Sequence, residues 1–187
     1  MAGSRTIRIL VALVIAMTIG ALALKLLETS PAPLTASDLM ALNPQTDYKT
    51  YVPVKLDQWR NIVIHSTGAE GADIVDRVHF VVDADGEGLI VHPTELWRQQ
   101  VPGQHVAAPG RGYNATSIGI CLRGNFSHQP PSRAQMDALV NLVCTLQQMC
   151  RISVQNVYMY SDLSTGPTSP GKEFPRRQFD ELLLRLR

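Results

Sequence analysis

Cysteine is scarce in this chain of 187 residues: Cys121, Cys144 and Cys150 are the only three. That is too few for a disulfide-stapled scaffold, and no paired Cys/His spacing of a zinc knuckle accompanies them. Cys144 and Cys150, six positions apart, would point about 240° apart on an unbroken helix. Cys121 and Cys150 are expected as small buried hydrophobes. An excess of charge is also missing. Seventeen Lys and Arg stand against sixteen Asp and Glu, a net +1. Residues 1–27 hold Arg5, Arg8 and Lys25 but no acid, so the remainder has 14 basic against 16 acidic residues, net −2. Such a body carries no polybasic surface, which excludes a nucleic-acid partner. Several site motifs are absent too. Gly103, Gly110 and Gly112 do not follow a strand in a phosphate-loop arrangement, and DADGEG from Asp83 lacks the spaced oxygens of a calcium loop. Ser66 and Ser161 have no acid–base signature around them.

What is present begins with one apolar run. Ile9–Leu24 is free of charge, preceded by Arg5 and Arg8 and followed by Lys25. At about 1.5 Å per residue it covers about 24 Å of a hydrocarbon layer of about 30 Å. Leu26 and Leu27 extend it, because a lysine near the end of a membrane helix can snorkel. The N-terminal positive charges are expected to stay in the cytoplasm and place the rest outside. Residues 1–27 therefore read as a cytoplasmic stub and transmembrane signal anchor, with the bacterial membrane as partner through residues 9–27. The domain is then on the extracytoplasmic (periplasmic) side. The alternative is a cleaved signal peptide, for which Ala21 and Ala23 supply a small-x-small site. Residues 28–57, with Pro31, Pro33, Pro44 and Pro53, read as a Pro-containing linker. Residues 58–187 form one domain.

Within that domain, strands are expected at Asn61–His65, Val78–Val82, Ser117–Leu122 and Val154–Tyr158, with Gly88–Val91 as a hairpin partner of the second. Pro102–Tyr113 reads as a loop. A helix is expected from Ser132, where S-x-x-Q makes a capping box with Gln135. Leu139, Leu142, Val143, Leu146 and Cys150 form its apolar stripe. A last helix from about Arg176 carries Phe179, Leu182, Leu183 and Leu186 on one face. The fold class is α/β (α+β), a central mixed sheet flanked by helices. Asn114 and Asn125 stand in glycosylation sequons.

Seven segments together resemble a known family. They are WRNIVIHSTG from Trp59, VHFVVDADGEG from Val78, WRQQVPGQH from Trp97, YNATSIGICLRGNF from Tyr113, PSRAQMDALVNLVCTL from Pro131, VYMYSDL from Val157 and TSPGKEF from Thr168. In this order they resemble the zinc-dependent N-acetylmuramoyl-L-alanine amidases that include the peptidoglycan recognition proteins. The resemblance runs from about Gln58 to Phe179. It implies hydrolysis of the amide between muramic acid and the first L-alanine of the stem peptide, by a zinc ion on two histidines and a cysteine or aspartate.

Carried over residue by residue, the pattern is incomplete. His65 matches the first ligand, but the second ligand position is Tyr160 and the third is Ser169. The tyrosine position before the HF pair is Val78, and the lysine or threonine position falls at Pro167, beside Thr168. One imidazole, one phenol and one hydroxyl lack the donors of a three-ligand platform. Only 13 residues separate His65 from His79, too few for the helix that walls the groove in relatives, so the groove is expected to be open on one side.

The groove candidates are His65, Trp97, His105, Tyr160, Asp162 and Ser169, with His65, Tyr160 and Ser169 as vestigial metal positions and no catalytic residue assigned. Strand alternation sends His79 to the face opposite the groove, as a satisfied buried imidazole. His92 and His128 read as loop residues without a spacing partner. The expected function is a membrane-tethered, catalytically inactive amidase-like domain that binds a peptidoglycan fragment or an envelope protein, with no cofactor. The alternative is a divergent, zinc-dependent amidase with a rebuilt site, for example His65 and His105 with Asp162.

Overall fold

The computed structural model describes residue 3 and residues 48–68, 74–84, 91–107, 110–165 and 168–186. The apolar run at 9–24 and residues 85–90, with most of the strand expected at Gly88–Val91, lie outside the described residues. Among those described, no helix is long and apolar enough to cross a membrane.

Five strands form the sheet: β1 (Asn61–Ser66), β2 (Phe80–Val82), β3 (Val91–Pro93), β4 (Ser117–Leu122) and β5 (Val157–Met159). Their spatial order is β3-β2-β4-β1-β5. β1 lies parallel to both β4 and β5, β4 is parallel to β2, and β3 closes one edge antiparallel to β2. Among the described residues, four helices accompany the sheet: α1 (Glu95–Gln99), α2 (Arg133–Cys150), α3 (Tyr160–Leu163) and α4 (Arg176–Arg185).

The central strands are buried along their length, β4 at all six positions and β1 at Ile62–His65. This is the pattern of parallel strands covered on both faces. Ile62, Ile64, Ile118, Ile120, Leu122, Phe80 and Val82 turn toward a core shared with Leu139, Leu142, Val143 and Leu146 of α2 and with Phe179 and Leu183 of α4. Ser132 caps α2 as its sequence indicates: its side chain accepts from the Gln135 N–H, and the Gln135 side chain returns to the Ser132 N–H. A Ser132→Ala variant should lose roughly 1 kcal/mol in a urea titration without changing the slope.

Some boundaries differ from the sequence reading, each for a local reason. β2 starts at Phe80 rather than Val78, because the Gly119 N–H is taken by the His79 ring at 2.9 Å instead of by a strand carbonyl. The hairpin partner is seen as Val91–Pro93, which runs past the expected end at Val91, while 88–90 lie outside the described residues. Residues 154–156 wind into a 3-10 turn (Val154–Asn156), held by Asn156 N–H to Ser153 O, so β5 is confined to Val157–Met159. α1 and the 3-10 turn Gly110–Ala115 are too short to show a periodicity.

The folded body also extends back to Tyr48, within the stretch read as linker. Trp97 Nε1 donates to Tyr48 O at 3.0 Å and the Tyr51 N–H donates to Arg98 O at 2.7 Å. Buried Gln100, at a left-handed φ of 53°, completes the clamp. Its Oε1 accepts from Trp59 Nε1 at 2.7 Å and from the Lys55 N–H at 3.2 Å, and its Nε2 donates to Trp97 O.

Candidate ligand-binding site

On the sheet face away from α2, three chain segments meet where β1 and β5 end. His65 is the last but one residue of β1, and Tyr160 directly follows β5 as the first residue of α3. Their rings lie 5.0 Å apart between centroids. Ser169 is tied to the immediate neighbours of both: its Oγ accepts from the Ser66 N–H at 2.9 Å, and its carbonyl accepts from the Ser161 N–H at 3.0 Å. Ser66 Oγ donates to Pro170 O at 2.7 Å, drawing the 168–171 segment further onto β1. Gly171 sits at φ 132°, and a Cβ there would come within 2.4 Å of the Phe126 backbone. Only glycine lets this turn close against that segment.

Histidines form the interior of the site. His65 Nε2 and His105 Nδ1 share a hydrogen bond of 3.0 Å, and the two residues are 2% and 3% exposed. The His105 ring lies over Gly119, where an added Cβ would meet it at 2.8 Å. His79 continues the chain of rings, 5.9 Å from His105 and 4.8 Å from Trp59. Its Nδ1 accepts from the Gly119 N–H, and its Nε2 bonds to Val101 O at 3.0 Å. His79 is therefore satisfied and buried, but it is not opposite the groove. The chain bends before β2 begins, so strand alternation does not govern its direction.

Burial keeps all three imidazoles neutral. It is the main cause that holds His65 well below the ordinary 6.5, with the neighbouring His105 adding to it. Burial lowers His79 to about 3, again with His105 contributing and the Val101 carbonyl opposing. It lowers His105 to about 4, offset in part by the Ser117 backbone. That contact is weak, since His105 Nε2 has no well-formed hydrogen bond among the described residues. Cys121, paired in register with His65, is pushed up to about 12 by burial, with Arg123 opposing, and is no nucleophile.

The other sequence candidates lie elsewhere. Trp97 is fully buried in the core, 4.8 Å from Phe80, and is not a groove residue. Its apolar bulk and its Nε1 bond to Tyr48 anchor the incoming chain instead. The Asp162 carboxylate accepts from the Met159 N–H at 2.9 Å and pairs with Arg176 at 2.8 Å, so it is committed to capping α3 and joining it to α4. It does not join His65 and His105 in a relocated metal site. The Asn114 side chain is consumed by both backbone groups of Val106. On the same sheet face as His65, Val78, Val81 and Cys121 form a small apolar cluster covered by Ile74 and Val75 beside the 3-10 turn Val75–Arg77.

A zinc ion does not fit the residues present. His65 Nε2 already faces a second imidazole, and Ser169 Oγ already accepts a backbone N–H. Tyr160 offers a phenol and Ser169 a hydroxyl, neither of them an imidazole, thiolate or carboxylate donor. Among the described residues, no group of three or more His, Cys, Asp or Glu could hold a metal.

The family model described as N-acetylmuramoyl-L-alanine amidase matches residues 55–172, more than half of the chain. The chain belongs to this amidase family. Solved amidase structures share the fold. The N-acetylmuramoyl-L-alanine amidase LysC from Clostridium intestinale URNW is 22% identical with a TM-score of 0.57, over 74% of this chain and 95% of that one. AmpDh3 from Pseudomonas aeruginosa, solved with an anhydromuramic pentapeptide, is 21% identical with a TM-score of 0.52, over 74% and 66%. The ectodomain complex of peptidoglycan recognition proteins LCa and LCx, solved with tracheal cytotoxin, is 22% identical with a TM-score of 0.51, over 77% and 92%. No curated protein matches the sequence significantly.

One cluster on this amidase domain escaped the sequence reading. His92 is a strand residue of β3, and its Nε2 pairs with Asp83 Oδ2 at 2.9 Å, while Asp83 Oδ1 pairs with Arg123 Nε. Residue spacing gives no signal for it, because only the sheet register brings the three together.

Proposed function

We propose that this amidase-family domain is a catalytically inactive module that binds a peptidoglycan fragment or an envelope protein. The observation that carries the proposal is the His65–His105 hydrogen bond, which occupies the single imidazole that remains of the three-ligand set. Tyr160 and Ser169 at the other two positions offer neither an imidazole nor an anion. What stays is a cluster of side chains whose polar atoms are mostly tied to one another, which supports a binding role over the activation of water. In the same reading, the charge-free run Ile9–Leu24 behind Arg5 and Arg8 tethers the domain to a bacterial membrane on its extracytoplasmic side.

Elemental analysis of the purified protein, with a hydrolysis assay on muramyl peptide, tests this reading. The expected result is no stoichiometric zinc and no release of stem peptide. A Tyr160→His, Ser169→Cys double variant, run in parallel, should gain zinc while remaining slow, because Val78 still replaces the assisting tyrosine. One equivalent of zinc in the unmodified protein, with cleavage abolished in His65→Ala, would overturn the proposal. For the tether, N-terminal sequencing of native material should find the apolar run still attached in the membrane fraction.

A further inference from the structure

The segment that leads into β1 turns part of its apolar surface outward. Of the large hydrophobic side chains exposed among the described residues, three fall within six positions: Tyr51 at 68%, Val52 at 40% and Leu56 at 44%. The fourth is Leu184 on α4. The segment is nonetheless held firmly. Tyr48 and Val54 pack against the core, and Trp59 is buried. Between them, the Tyr51 N–H bonds to Arg98 O and the Lys55 N–H to Gln100 Oε1. The inward side chains thus do the anchoring, and the outward ones add little to it. Single hydrophobics scattered over a surface are ordinary, but a group of them on one clamped segment points to something that covers it.

The charge around this patch differs from that of the rest of the domain. Residues 48–60 carry Lys49, Lys55 and Arg60 against Asp57, a net +2, whereas residues 61–187 hold 11 basic and 12 acidic residues, a net −1. Lys49, Lys55 and Arg60 are exposed, and the Arg98 guanidinium lies 5.9 Å from the centre of the Tyr51 ring. Together these residues match a lipid interface. A tyrosine and aliphatic side chains enter the headgroup region, while long basic side chains reach anionic phosphates. A second copy fits less well, since a two-fold contact through this patch would set its positive charges against themselves. The place of the segment in the chain agrees. Twenty residues, 28–47, separate Tyr48 from the end of the apolar run at Leu27, and fully extended they reach at most about 70 Å. A tether of that reach confines the domain without seating it, and it raises the local concentration of lipid so that a weak patch suffices.

We infer that Tyr51, Val52 and Leu56, with Lys49, Lys55 and Arg60 around them, dock this domain onto the surface of an anionic phospholipid bilayer. The inference rests on the tether proposed above and adds which face meets the membrane. Docking also sets the height of the ligand-binding site, because the docked segment runs through buried Trp59 into β1, which bears His65.

Full-length protein reconstituted into vesicles, of phosphatidylcholine alone or mixed equally with phosphatidylglycerol, tests this. A membrane-impermeant amine-acylating reagent labels the outward-facing molecules. Mass spectrometry then gives the reactivity of Lys55 relative to Lys172, which is exposed beside the 168–171 segment. In the anionic vesicles this ratio should fall about fivefold, the weight of one basic side chain at an anionic surface, and raised salt should restore it. Tyr51→Ser combined with Leu56→Ser, both at exposed positions, should restore it as well. A double variant that stays protected would mean that charge alone acts and would overturn the interfacial patch. Equal ratios in the two lipids, with the chain still floating with the vesicles, would overturn docking and leave the tether standing. Loss of Lys172 reactivity instead would place another face on the bilayer, and protection that follows protein density rather than lipid charge would mean a second copy; either overturns the inference. If the chain does not float with the vesicles, the tether reading fails and docking fails with it.

Discussion

Lowering the pH from about 7 to about 4 is expected to remove several kcal/mol of folding stability. The cause is the buried row of neutral imidazoles. Unfolded, each titrates near 6.5; folded, His105 is held down to about 4 and His79 to about 3, and His65 is lowered as well. Below pH 6.5 the unfolded chain takes up protons that the folded domain refuses, so stability falls as pH falls. The loss levels off only once the folded imidazoles also protonate. These rings contact one another, Trp59 and Tyr160, and no carboxylate contact is among those described, so nothing nearby would stabilise the charged forms. Urea midpoints at stepped pH values measure the effect. The part of the loss above about pH 5 belongs to histidine, because ordinary carboxylates titrate lower. Resonances of His65, His79 and His105 that titrate near 6.5 in the folded protein, with a flat stability profile, would contradict this account.

Truncating Leu146 to alanine should cost roughly 2–5 kcal/mol. The residue is fully buried where α2 lies on the sheet, among Leu142, Val143, Ile118 and Ile120. Backbone on both sides of the site depends on this packing, since β4 carries Gly119 and Cys121 on its other face. Leu184 is the matched control: it is exposed on α4, and Leu184→Ala should stay within about 0.5 kcal/mol. Both variants are read from denaturant midpoints at constant slope. Equal effects at the two positions would mean that α2 does not pack as described.

The expectations that held were those resting on neighbours in sequence. NIVIHS and SIGICL each contain their own apolar signal, and the observed strands are Asn61–Ser66 and Ser117–Leu122. The Ser132 cap and the apolar stripe behind it depend on residues within a few turns of one helix, so α2 was legible from end to end. The family was legible for a similar reason, as several short motifs occur in a set order along residues 55–172. The expectations that needed revision were those in which a distant group decides the outcome. Strand alternation placed His79 away from the groove, but the Gly119 N–H, 40 residues on, turns its ring toward His105. Trp97 sits near the groove in the chain's motif order, yet the core and the Tyr48 carbonyl claim it.

By itself the sequence indicated a mixed α/β amidase-family fold, and it motivates the proposal that Tyr160 and Ser169 stand at two of the three metal-ligand positions. Those statements concern residue identity, local periodicity and motif order, which need no third dimension. Only the tertiary structure decided that His65 and His105 bond to each other, that Asp162 is committed to Arg176, and that Asp83 gathers His92 and Arg123. Each of those contacts depends on strand register or on the packing of elements far apart in sequence. A shift of one residue in register would send every side chain of a strand to the opposite face.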